Sequence, residues 1–215
     1  MMQTKHLISF GFSLLLCGII CANANEFSDS SFGAGTIKVS QTVNTADLEK
    51  TADKYFYTGM ESDDINKREA YLSRALEKYM LLLKLKPNDV TTCTQIAVIH
   101  DNLNHPGIAK TYFIRAVNLE KLNPFANFYY GEYYFAKREY QKALKYYLTA
   151  YNNGYRDSFP VNLRLATVYE KLGDLAKARI YYIAAEKQNP AQNGIRAKIE
   201  SLEKIYYSKS DYQHN

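Results

Sequence analysis

An all-α solenoid of about four helical hairpins, sealed by one further helix at its C-terminal end, is the fold that this 215-residue sequence predicts. Three observations carry the prediction. A set of small and aromatic residues recurs every 34 to 35 positions: Gly131, Tyr134, Ala143, Tyr147 and Ala150 are followed by Ala166, Tyr169, Ala178, Tyr182 and Ala185, and preceded by Ala97, His100, Ala109, Phe113 and Ala116. A fixed period of this length marks stacked repeats rather than one closed core. Turn residues fall between the apolar stretches at the same interval, and the final apolar stretch is half charged.

The first helix begins near Thr45 and sets Leu48, Ala52, Tyr55 and Phe56 on one face. Its partner carries Tyr71, Leu72, Ala75, Tyr79, Leu82 and Leu83 and stops at Pro87. More residues separate Tyr55 from Ala75 than the later repeats allow, so this hairpin is the longest. Three pairs follow, at about 89–103 with 106–121, 124–137 with 139–152, and 159–172 with 174–187. Pro106 opens a helix where its missing N–H is no loss, and Gly173-Asp174 joins a residue free to take positive φ to an N-cap acid. Antiparallel helices approach closely only where side chains are small. Ala97, Gly131 and Ala166 therefore face Ala109, Ala143 and Ala178, with Phe113, Tyr147 and Tyr182 filling the space beside each crossing. Ile195, Ile199, Leu202 and Ile205 then form a stripe backed by Arg196, Lys198, Glu200, Glu203 and Lys204, which suits a helix capping an open solenoid end.

The spacing Gly131-x2-Tyr134-x8-Ala143-x3-Tyr147, repeated as Ala166-x2-Tyr169-x8-Ala178-x3-Tyr182 and closed by Pro190, resembles the tetratricopeptide repeat over residues 45–208. Cys93, Asn127 and Asn162 replace the tryptophan of that pattern, His100 stands at a usual tyrosine, and Lys121 and Tyr155 replace a closing proline kept at Pro87 and Pro190. The resemblance implies a right-handed superhelix, no enzymatic activity, and a protein partner held on an inner face lined by the first helix of each repeat. Relatives with a carboxylate clamp use Lys and Asn on that face; Thr94, Val98, Phe125 and Tyr129 occupy those places here, so that activity is not implied.

The ends read differently. Lys5, the apolar run Leu7 to Ile20 and Ala22-Asn23-Ala24 predict a signal peptide over 1–24, cleaved before Asn25, and thus an exported protein, periplasmic or secreted. The run is shorter than the roughly 20 residues that span a bilayer; an uncleaved anchor is the alternative. Leu16 and Ile20 precede Cys17 and Cys21, where a lipoprotein signal has a small residue. Residues 25–44, with Ser28, Ser30, Ser31, Gly33, Gly35 and Thr36, read as a flexible linker, and 209–215 as a disordered tail. Cleavage lowers the net charge from +5 to +4, since Lys5 is the one formal charge removed. It leaves Cys93 alone, so packing must hold the fold without an internal disulfide. No basic run exceeds two residues, as at Lys137-Arg138, and a nucleic-acid footprint is excluded.

No catalytic, metal or cofactor site is expected. Cys93 and His100 share a helix face near Asp101 and His105, but both occupy packing positions and no third orienting group is evident. Glu61, Asp63 and Asp64 lack calcium-loop spacing and read as a solvated turn. The candidate binding face is the stripe Phe125, Phe128, Glu132 and Phe135, which the repeat's own packing leaves over. Its counterparts are Thr91, Thr94, Val98 and Asp101 before it and Leu163, Thr167 and Glu170 after it. They predict an apolar groove flanked by acids that takes a protein segment with aromatic or aliphatic anchors, as envelope assembly would require. The alternative packing is that these Phe fill space between repeats. The alternative function is a glycan-binding surface built from the 20 Tyr and the Phe. Tyr79, Tyr134, Tyr147, Tyr169 and Tyr182 are expected in the core, with Tyr130, Tyr146 and Tyr181 partly exposed.

Overall fold

The computed structural model describes residues 44–211, with side chains through Ile205. The expected signal peptide, residues 25–43 of the expected linker and the last four residues lie outside the described residues. The described chain is helical throughout, with no strand. Four hairpins stack in order: α1 (Thr45–Glu61) with α2 (Ile65–Leu85), α3 (Val90–Asn102) with α4 (Pro106–Leu119), α5 (Pro124–Ala136) with α6 (Tyr140–Ala150), and α7 (Phe159–Lys171) with α8 (Leu175–Gln188). The last helix, α9 (Ile195–Asp211), packs on α8 and runs three residues past the expected boundary at 208. The extra residues of the first hairpin lengthen its helices, since only Ser62 to Asp64 separate them.

Local chemistry explains the boundaries. Asn44, Asp64, Asp89, Asn123 and Asp174 each accept a hydrogen bond from the backbone N–H of the second or third residue of the helix they cap. The three inner hairpin turns share one geometry. His105, Glu139 and Asp174 donate backbone N–H to His100, Tyr134 and Tyr169, while the residue before each turns left-handed: Asn104 at φ 60°, Arg138 at 59° and Gly173 at 83°. This is the Schellman closure of a helix end.

The crossings lie where the sequence placed them. Ala97, Ala166, Ala109, Ala143 and Ala178 are fully buried, as are Phe113 and Tyr147 to within 1%. Behind them runs a second register. His100 stacks on Tyr112, Tyr134 on Tyr146 and Tyr169 on Tyr181, with ring planes 15°, 3° and 8° apart. His100 thus fills a tyrosine's place by doing a tyrosine's packing. Tyr130 is buried, not partly exposed as expected, because it lies between Phe113 and Tyr146 and shares a 3.0 Å hydroxyl contact with Tyr134. Tyr146 and Tyr181 are half-buried.

Asn127 and Asn162, which stand where the repeat pattern has tryptophan, act as polar staples. Asn127 donates to the carbonyls of Lys121 and Asn123, and Asn162 to those of Arg156 and Ser158, fixing the preceding loop onto the repeat. Buried amides are tolerable when bonded in this way. Ile195, Ile199 and Leu202 bury α9 against the array, but Ile205 is 39% exposed, so the capping stripe is one residue shorter than the sequence reading.

Candidate functional site

The first helices α1, α3 and α5 meet around a cavity of about 220 Å³ lined by Met60, Val98, Asp101, Asn102, Phe113, Tyr129, Glu132, Tyr133 and Ala136. A second cavity of about 220 Å³ lies beside it, lined by Phe125, Phe128, Tyr129, Tyr155, Ser158, Pro160 and Val161. Tyr129 belongs to both and forms the wall between them. Sequence reasoning passed over it as a missing clamp residue.

Backbone irregularity makes the second cavity. Helix α6 runs into a π turn, Tyr151–Tyr155, which ends as Gly154 swings to φ 137°. Only glycine adopts that conformation without strain. The turn carries Tyr155 under Phe128, ring centroids 6.5 Å apart, where a closing proline was absent from the sequence. Phe125 and Phe128 meet Tyr129 edge to face, at 63° and 79°. The three expected Phe are neither free nor enclosed. Phe128 also packs on Tyr147, and Phe135 packs on Tyr140 under the guanidinium of Arg164 without lining either cavity.

The acids of this face are held in a repeated polar device. Tyr79 donates its hydroxyl to Asp53 (2.6 Å), and Gln95 of the next first helix donates to the same oxygen (3.1 Å). Tyr147 donates to Glu132, which Arg164 of the next repeat grips through both oxygens at 2.7 and 2.8 Å. Tyr182 donates to Glu170 (2.8 Å), which pairs with Lys198 of α9 at 2.6 Å. Burial raises all three hydroxyls, that of Tyr182 to about 12, so each stays a donor at neutral pH. The second repeat has Val98, Phe113 and Tyr129 in place of acid, hydroxyl and donor, and the first cavity opens there. Asp101 sits on its rim, 3.5 Å from Lys137, whose ammonium lies 3.9 Å from the Tyr133 ring centre. Burial pushes the Asp101 carboxyl up, and Lys137 partly offsets it.

Several expected site residues change role. Thr94 does not line the groove: it is fully buried and bonds the Val90 carbonyl within its helix. Glu132 and Glu170 are not open to a partner's charge, because Arg164 and Lys198 already hold them. Val98 is 5% exposed yet reaches the cavity wall. Thr167 is tied to the Leu163 carbonyl, and Leu163 packs on the core. Cys93 is fully buried with its thiol pushed up by burial, which disfavours the thiolate that nucleophilic chemistry needs.

Residues 159–192, the fourth hairpin, match the tetratricopeptide repeat family, and the hairpins before it stack in the same helix-turn-helix order. Its fold is similar to that of a structure from the functional characterization of Pseudomonas aeruginosa pilF, with TM-score 0.61 and 18% identity over 77% of this chain and 72% of that one. It is also similar to the MamA protein, with TM-score 0.54 and 20% identity over 71% and 81%. A structure of Naa15/Naa10 bound to HypK-THB gives TM-score 0.62 at 16% identity over 79% of this chain, which spans only 24% of that one. No curated protein matches. Among the described residues no helix is long and apolar enough to cross a membrane.

Proposed function

We propose that the protein is a non-enzymatic scaffold that holds a segment of a partner protein along its first helices, with apolar anchors in the paired cavities either side of Tyr129. One observation carries this reading: aromatic side chains that the repeat does not need for its own crossings line two adjoining hollows. Exposed apolar hollows of this kind mark binding sites, and aromatic anchors commonly dominate their energetics. The edge-to-face rings favour a peptide over a glycan, since they present no continuous flat platform for a sugar. The stacked tyrosine register is no alternative platform, because Lys142 and Lys177 lie 5.2 Å over Tyr134 and Tyr169.

The N-terminal sequence supports export, and with it a role in envelope assembly. Sequencing of the mature N-terminus tests this: a chain beginning at Asn25 agrees, and one beginning at Met1 refutes it. The binding reading is tested by a photo-crosslinker at position 128 in the native compartment, with one at exposed Thr111 as control. A partner trapped from 128 and not from 111 supports the groove; equal trapping from both refutes it.

A further inference from the structure

The polar device carries an internal comparison. Glu132 and Glu170 each accept a tyrosine hydroxyl from the following helix and pair with a cation from the helix after that, Arg164 or Lys198. Asp53 accepts the Tyr79 hydroxyl too, but the third member is Gln95, a neutral amide. Among the described residues Asp53 pairs with no cation. Both of the bonds it accepts from described residues fall on Oδ1, and among those residues Oδ2 accepts none. A carboxylate with an empty oxygen beside apolar surface is a strong acceptor for a guanidinium or ammonium. The surroundings suit the stem of such a side chain. One and two turns along α1 from Asp53 stand Tyr57, 53% exposed, and Met60, which lines the cavity walled by Tyr129. Long basic side chains lay their methylenes on apolar surface of this kind while the head stays polar.

We propose that the bound segment supplies the missing cation: an arginine or lysine of the partner pairs with Asp53, its stem along Tyr57 and Met60, while the adjoining apolar residue enters the cavity beside Tyr129. This rests on the groove reading and adds the partner's chemistry and the end of the array where its charge is read. A partner cation at Asp53 completes the rung that the chain completes for itself at Glu132 and Glu170. It also distinguishes this end of the groove from the rest, where internal cations occupy the acids and would repel an incoming one.

The probe is a short capped peptide, acetyl-Gly-Leu-Arg-Leu-Gly-amide, and its citrulline counterpart, which has the same shape without the charge. Binding is read from the methyl NMR signals of Met60 and Val98. The arginine peptide should shift the Met60 signal and bind about tenfold or more tightly than the citrulline peptide. Asp53→Asn keeps an acceptor for Tyr79 and Gln95 and removes only the charge, so it should erase that difference while leaving the fold intact. Gln95→Arg, which supplies the cation internally as Arg164 does, should do the same. Equal binding of the two peptides overturns the cation assignment and leaves the groove reading standing. Absence of any shift from either peptide also overturns it, and the crosslinking from position 128 then decides the groove separately. An arginine preference that survives in both variants places the charge elsewhere and overturns it as well.

Discussion

The ring of Tyr147 lies against the backbone of Gly131 so closely that a Cβ at 131 would stand 2.6 Å from two of its ring carbons. Ala97 and Ala166 hold the same place in the neighbouring repeats, so the glycine is not required by the repeat as such. It is required by this tyrosine, whose hydroxyl is fixed on Glu132 and which therefore cannot slide aside. Gly131→Ala should destabilise the fold by about 1–2 kcal/mol, although alanine is the better helix former by nearly 1 kcal/mol. Adding Tyr147→Phe frees the ring and should recover part of that loss. Urea midpoints of the four chains in a double-mutant cycle measure the coupling, and additive effects would contradict it.

Arg138 makes the opposite case. It adopts φ 59° at the turn where Gly173 adopts 83° in the next repeat. A side chain in the left-handed region is strained by about 1 kcal/mol, and the closure itself needs only backbone groups. Arg138→Gly should raise stability by about 0.5–1 kcal/mol, visible as a higher thermal midpoint, whereas Gly173→Arg should lower it by a similar amount.

These two positions also mark how far the sequence could be read. The crossings were legible because small residues at a fixed interval leave no other close approach. The polar device was not, since each rung draws on three helices: Glu132, Tyr147 and Arg164 are neighbours only after the hairpins stack. Asp53 and Gly59 escaped notice because the long first hairpin shifts its register against the rest. Gly59 lies so near Leu72 that a Cβ would meet its side chain at 2.9 Å. Thr94 was misplaced for a different reason. Helix α3 is buried from Thr92 to Ile99, covered by neighbours on both sides, so it has no spare face there to offer. The aromatic stripe of α5 was found because its packing set was already assigned, but Tyr155 and the π turn that delivers it have no sequence pattern beyond one glycine.

His100 couples the second register to pH. Its Nδ1 is buried without a hydrogen-bond partner, and burial first, then nearby His105, lower its pKa below the usual value of about 6.5. The unfolded chain takes up the proton before the folded one does. Stability from this residue is therefore full above about pH 6.5 and declines as pH falls toward the folded pKa. His100→Tyr, which installs the residue found at Tyr134 and Tyr169, should remove that part of the acid sensitivity and preserve the stack on Tyr112. Urea midpoints at pH 7.5 and 5 test it: the gap between the two pH values should narrow in the variant, and an unchanged gap would assign the sensitivity to other groups.

Phe128 and Phe135 separate binding from packing. Both are half-buried phenylalanines of α5, one on Tyr147 and Tyr155, the other on Tyr140 and Arg164. Truncation of either to alanine removes comparable ring contacts, so each should lower stability by about 1–3 kcal/mol. Of the two cavities, Phe128 lines one and Phe135 lines neither. If that cavity holds an anchor of the partner, Phe128→Ala should weaken affinity for the protein trapped from position 128 by about 2 kcal/mol or more, while Phe135→Ala leaves it near the wild-type value. Calorimetric titration of both variants at a temperature well below their unfolding midpoints makes the comparison. Equal losses would mean that the partner senses general loosening of α5. A loss confined to Phe135→Ala would move the contact surface toward Arg164. Glu132→Lys is not a useful charge probe here, because it breaks the grip of Arg164 and the bond from Tyr147, and its effect on binding would be inseparable from unfolding.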